Sequence, residues 1–162
     1  VTTPLGLDGA TPIALADIAA AERALGFTLP PALVALCLAE NGGMPTRCWL
    51  IDEARDMEYW VNWFIPIEPA EATTGKGLVS IYCQMVGEGV LPADSLPFAN
   101  DAGGNFFLLD RDDRRVWFMP MDEWHHEETA EQNWARSGRA VANSLTAFLA
   151  ALSAEVPSWA RE

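Results

Sequence analysis

The stretch Leu96-Pro97-Phe98-Ala99-Asn100-Asp101-Ala102-Gly103-Gly104-Asn105-Phe106-Phe107-Leu108-Leu109-Asp110 places two apolar runs on either side of a polar turn. Phe98-Ala99 and Phe106 to Asp110 predict strands, because aromatic and large aliphatic side chains suit a pleated, half-buried surface. Between them Asp101 to Asn105 supplies turn residues, and the Gly103-Gly104 pair permits a tight or bulged hairpin. A third run, Val116 to Met121, follows the turn Arg111 to Arg115. The three runs predict an antiparallel meander.

On the N-terminal side, Ala14 to Leu25 carries the stripe Ile18, Ala21, Leu25 in an Ala-rich run and predicts a helix. Gly26 ends it, and Phe27-Thr28-Leu29 is a short extended link. Pro30 and Pro31 open a second helix, in the first turn where proline is tolerated. Leu33, Leu36, Cys37 and Glu40 follow at helical spacing until Asn41-Gly42-Gly43 stops it. The two helices should pack as a hairpin. Cys48 to Ile51 and Tyr59 to Ile67 read as strands, with Trp60 and Trp63 on opposite faces of the second. Leu78 to Val86 reads as a short helix or an irregular strand. On the C-terminal side, Asp122 to Arg136 is polar. Gly138 to Ala154, with the stripe Val141, Leu145, Phe148, Leu149, Leu152, predicts a closing helix N-capped by Ser137. Helices, then strands, then a helix define an α+β class in one continuous domain over residues 1–162.

Ten Lys+Arg against 23 Asp+Glu in 162 residues leave a formal charge of −13. Such a chain repels nucleic acid, whose binders gain affinity by neutralising phosphates. Its one basic cluster, Arg111, Arg114 and Arg115, is interleaved with Asp110, Asp112 and Asp113. Direct binding to nucleic acid or an anionic membrane is therefore excluded as an expectation. Two explanations of the acidity stand: a basic partner protein, or solubility alone. No apolar run approaches the ~20 residues that a transmembrane helix needs. Cys37, Cys48 and Cys83 show no metal spacing and read as small buried thiols in a reducing cytoplasm. The N-terminus shows no secretory pattern. Most of the seven Trp are expected in the core, with Trp60 or Trp63 facing solvent or a partner.

Little in the chain suggests chemistry. His125 and His126, among Asp122, Glu123, Glu127 and Glu128, are the best metal candidates, yet neither HExxH nor HxH spacing is present. A solvated acidic segment explains them better, and no metal or cofactor is expected. No GxSxG elbow occurs, and no Cys lies near a histidine in sequence. Asp110-Arg111-Asp112-Asp113-Arg114 lacks the central Gly and distal Glu of a calcium loop. Gly103-Gly104 is not followed by the Lys-Ser/Thr of a phosphate loop.

Three segments together resemble one family. Ile18-x-x-x-Glu22-x-x-Leu25-Gly26-x-x-Leu29-Pro30 followed by Asn41-Gly42-Gly43 is similar to the N-terminal signature of the SMI1/KNR4 proteins, the SUKH superfamily. Leu96-Pro97-Phe98-Ala99-x-Asp101-x-x-Gly104-Asn105-x-Phe107-x-Leu109-Asp110 resembles the central motif. Val141-Ala142-x-Ser144-Leu145-x-x-Phe148-Leu149-x-x-Leu152 resembles the closing helix. The resemblance spans about residues 14–153. It implies a curved mixed, mainly antiparallel sheet flanked by an N-terminal helix pair and a C-terminal helix. Many bacterial members are immunity proteins that bind and neutralise polymorphic toxins, often nucleases or deaminases, without catalysis. Others are regulatory adaptors, including a fungal cell-wall regulator.

No catalytic residues come with the match. Glu22, Gly26, Pro30, Asn41, Gly42, Gly43, Pro97, Phe98, Asp101, Gly104, Asn105 and Asp110 read as fold determinants. Residues 45–80 are unusually rich in Trp, and Asp122 to Arg136 has no counterpart in the family pattern. A partner surface is therefore expected on exposed acids and aromatics in these parts: Glu53, Asp56, Glu58, Trp60, Asp122, Glu123 and Glu128. The expected partner is a basic toxin, a nuclease, with a housekeeping adaptor role as the alternative.

Overall fold

A computed structural model describes residues 4–71 and 74–156. The elements run α1 (Leu15–Leu25), α2 (Pro31–Ala39), β1 (Trp49–Asp52), β2 (Met57–Trp60), β3 (Trp63–Phe64), α3 (Leu78–Gly87), β4 (Ser95–Asn100), β5 (Phe106–Asp110), β6 (Val116–Met119), a 3-10 turn (Met121–Glu123), α4 (Ala130–Ser137), β7 (Arg139–Ala142) and α5 (Leu145–Ala151). The fold is α+β, with helices at both ends and antiparallel sheets between. Strands β3-β4-β5-β6-β7 form one sheet of five, and β1-β2 form a separate pair. Every named pairing is antiparallel.

The Phe106-Phe107-Leu108-Leu109 run explains the layering. It occupies the central strand, and residues 107 to 109 are buried on both faces, as a continuous apolar run requires. On one face Phe107 and its cross-strand partner Phe118 lie 5.3 Å apart, ring centre to ring centre. Phe148 of α5 packs against Phe98 and Phe107, each at 5.4 Å, and Tyr59 of β2 against Phe118 at 4.8 Å. On the other face Leu108 and Met119 pack with Leu91 and, from α4, Trp134. Trp117 and Trp134 sit 5.1 Å apart there.

Three expectations change, and one open alternative is resolved. The closing helix begins at Leu145, capped by Ser144 and not by Ser137, because residues 139–142 pair with β6 as an edge strand. Part of the polar segment is α4, opened by a Thr129/Gln132 capping box. Tyr59 to Ile67 is not one strand: β2 turns at Trp60 away from the pair with β1, and β3 joins β4. Leu78 to Val86 resolves as helix. In addition, no described Trp is buried; Trp159 lies outside the described residues. Only Cys37 of the three thiols is buried, and Cys83 is exposed.

The N-terminal segment is stitched to this frame. Glu40, at the end of α2, accepts the backbone N–H groups of Leu5, Gly6 and Leu7 at 2.7, 2.8 and 3.1 Å. Asp8 bridges Met44, and Gly43 bridges Phe64, so the edge of β3 is covered. Gly43 sits at φ 113°, and a Cβ there would meet the Asp8 carbonyl at 2.4 Å.

Candidate partner-binding surface

The β1–β2 pair carries four of the seven expected surface residues. Its register sets Trp49 opposite Trp60, Leu50 opposite Tyr59, Ile51 opposite Glu58 and Asp52 opposite Met57. Alternation sends Leu50 and Tyr59 into the core, so Trp49, Trp60, Ile51 and Glu58 share the outer face. The two indoles stack with centroids 6.0 Å apart and planes 21° apart. Trp60 stays 42% exposed and Ile51 44%, a high value for side chains of this size. The connecting turn, residues 53–56, holds Asp56 at φ 51°, and leaves Glu53 and Asp56 exposed. Arg55 in that turn points elsewhere: its guanidinium donates to Asp52 Oδ2 and to the Ala140 carbonyl, the latter at 3.2 Å. The side chains of Glu53, Asp56 and Glu58 carry no hydrogen bond or ion pair among the described residues.

Asp122, Glu123 and Glu128 lie in a second group, and two of these three carboxylates are already matched. Glu123 Oε1 accepts from Arg139 Nη2 at 3.0 Å, and Glu128 Oε2 from Arg136 Nε at 2.9 Å. Asp122 is exposed. The segment is organised by Asn133, which is fully buried. Its Oδ1 accepts the His125 N–H at 2.7 Å, and its Nδ2 donates to the carbonyls of His125 and Thr129. Both groups border β7: Arg55 reaches Ala140 from the hairpin, and Arg139 reaches Glu123 from the strand itself. Asn133 carried no sequence motif; the Thr129-x-x-Gln132 box beside it was the available signal.

The family-motif residues hold backbone. Glu22 Oε1 accepts the Leu29 N–H at 2.8 Å, which fixes the link between α1, ended by Gly26 at φ 80°, and Pro30 before α2. Asn41 is buried and makes a paired exchange with Ile67: Nδ2 donates to its carbonyl at 2.8 Å and Oδ1 accepts its N–H at 2.9 Å. Gly42, at φ 74°, faces Pro66 so closely that a Cβ would lie 2.6 Å from its ring. Asp101 Oδ1 accepts from the Gly103 and Asn105 N–H groups, with Gly104 at φ 87° completing the turn, and Asn105 Oδ1 accepts from Met121. Pro97 and Phe98 lie at a register shift between β4 and β5. Asp110 Oδ1 accepts from Trp117 Nε1 at 3.0 Å, and burial pushes its carboxyl up from the ordinary value.

Among the described residues, no three His, Cys, Asp or Glu side chains converge to hold a metal. His125 faces Glu128 at 3.7 Å and is exposed, while His126 lines an open groove with Glu88 and Trp124. Burial pushes the Cys37 thiol up to about 12, so it stays protonated and inert. No helix of the described residues is long and apolar enough to cross a membrane.

The domain is α+β, its motif residues hold backbone, and an aromatic–acidic face is left outward. The chain belongs to the SMI1/KNR4 family (SUKH-1), whose family model matches residues 12–151. That family is generally non-catalytic. A comparison with curated proteins finds no match.

Proposed function

We propose that this chain is a non-catalytic binding domain of the immunity type, which neutralises a basic, nuclease-type toxin by covering its nucleic-acid-facing surface. Membership of the SMI1/KNR4 family is consistent with an immunity-protein-like domain. The observation that carries the choice of partner is charge. A net −13 makes close approach to a basic surface favourable and accelerates it. Acidic side chains would stand where the toxin expects phosphates, or block the channel that leads to them. Action inside the producing cell, in the cytoplasm, follows from that role.

The test is genetic and biochemical. Co-expression with nuclease-type toxins drawn from neighbouring genes should restore growth against one of them, and the two proteins should co-purify as a complex that salt weakens. Absence of both rescue and complex overturns the proposal and leaves the alternative, a regulatory adaptor with no toxin partner.

A further inference from the structure

The acids of this protein are not equivalent, and the difference singles out one surface. Glu123 and Glu128 are matched by Arg139 and Arg136 within the chain. A carboxylate already paired gains less from a new cation than one facing only water, because the incoming charge must compete with the resident one. Glu53, Asp56 and Glu58 have no such match among the described residues, since the only cation of their turn, Arg55, is drawn to Asp52 and Ala140. Glu58 shares an outer face with Trp60, stacked on Trp49, and Ile51, and Glu53 and Asp56 lie in the turn at the end of that hairpin. Exposed large apolar side chains ringed by polar ones are how an interface centre looks before the partner arrives.

We propose that the outer face of β1–β2 is the docking surface for the basic partner, with Trp60 as its anchor and Glu53, Asp56 and Glu58 as its charged rim. This rests on the proposed toxin-binding function and specifies where that binding occurs. The occupant is a protein surface that presents an Arg or Lys beside an apolar side chain. Charge complementarity selects it: the cation meets the unmatched carboxylates, and its flat or aliphatic stem lies on the face of Trp60. The indole is held ready, because stacking on Trp49 at 6.0 Å restricts its rotation before binding. The Arg55 link to Ala140 likewise fixes the turn against β7.

The probe is the nuclease-type toxin domain identified by the co-expression rescue, titrated calorimetrically into the full chain. Trp60→Ala and Glu58→Lys should each weaken binding by about tenfold or more, the size of a hot-spot loss. Glu127→Lys, the same charge reversal on an exposed side chain of the other acidic segment, should change affinity by less than about threefold. Hydrogen exchange in the complex should show new protection across residues 49–60. Unchanged melting of Trp60→Ala separates a lost contact from a lost fold. If the unaltered chain binds but Trp60→Ala and Glu58→Lys bind equally well, the surface is wrong and the toxin-binding function stands. If Glu127→Lys weakens binding as much as Glu58→Lys, the attraction is general and the surface is again wrong. If the unaltered chain does not bind at all, both fall together.

Discussion

Two side chains show how this fold spends polar groups. Asn41 replaces a stretch of strand pairing: its amide gives and takes one hydrogen bond with Ile67, a residue with no exposed surface. Asn41→Ala would leave a buried N–H and a buried C=O unpaired, and should cost about 2–4 kcal/mol in urea unfolding. Asp110 behaves oppositely, because the fold holds it at a disadvantage. Burial raises its carboxyl above 3.8, and the charge of Asp112 adds to that while the Trp117 hydrogen bond opposes it. The folded chain therefore keeps this proton in a window above 3.8 where the unfolded chain has released it. Stability from this group is full below that window and is lost as pH rises through it. Asp110→Asn keeps an acceptor for Trp117 and removes the charge. Its melting temperature should exceed that of the parent at neutral pH, and the gap should close as pH falls toward 3.8. An exposed control, Glu127→Gln, should show a smaller gap, which separates burial from overall charge.

Elements were legible where one local signal dominated and illegible where tertiary pairing overrode it. The meander, the helix pair and the Asp101–Asn105 turn follow from apolar runs bounded by Gly, Asn and Pro, and the family match over residues 12–151 covers the same ground. The closing helix shows the other case. Val141 to Leu145 is a four-residue step that fits a helical stripe, yet residues 139–142 extend to pair with β6. The helix then starts late, with Ser144 Oγ accepting the Ala147 N–H at 3.0 Å and Asp113 accepting the Leu145 N–H at 2.8 Å. Asp113 comes from a turn 32 residues earlier, which no local pattern reveals. Ser144→Ala should lower stability by about 1 kcal/mol, the usual value of an N-cap, read from a denaturant midpoint. α4 was hidden because its apolar content is one Trp and two Ala among polar residues. The Phe106–Leu109 run reads in the sequence as half-buried, whereas the structure buries residues 107–109 on both faces, and such a strand needs a cover on each. Of the candidate surface, the sequence named the residue types, but only the register and the resident arginines separate Glu58 from Glu123.

At the scale of the molecule, the net −13 has two consequences of opposite sign. In the free chain, 23 acids around 10 cations repel one another, and that repulsion opposes compaction. Salt at about 0.1 M shortens the reach of each charge to about 10 Å, so it relieves the repulsion. It also weakens the described ion pairs, but each of these has at least one partner open to water and contributes little. Relief therefore wins, and the melting temperature of the free chain should rise between 20 mM and 300 mM NaCl. The complex should respond the other way, since attraction across the interface is screened by the same ions. One salt series, read by thermal melting for the chain and by affinity for the complex, tests both signs. If acidity served only solubility, the first trend would appear without the second. A complex whose affinity is flat across the series would leave the negative charge without a role in recognition. Affinity that falls while free-chain stability climbs would assign the charge to the partner, at a cost that the fold carries until the partner arrives.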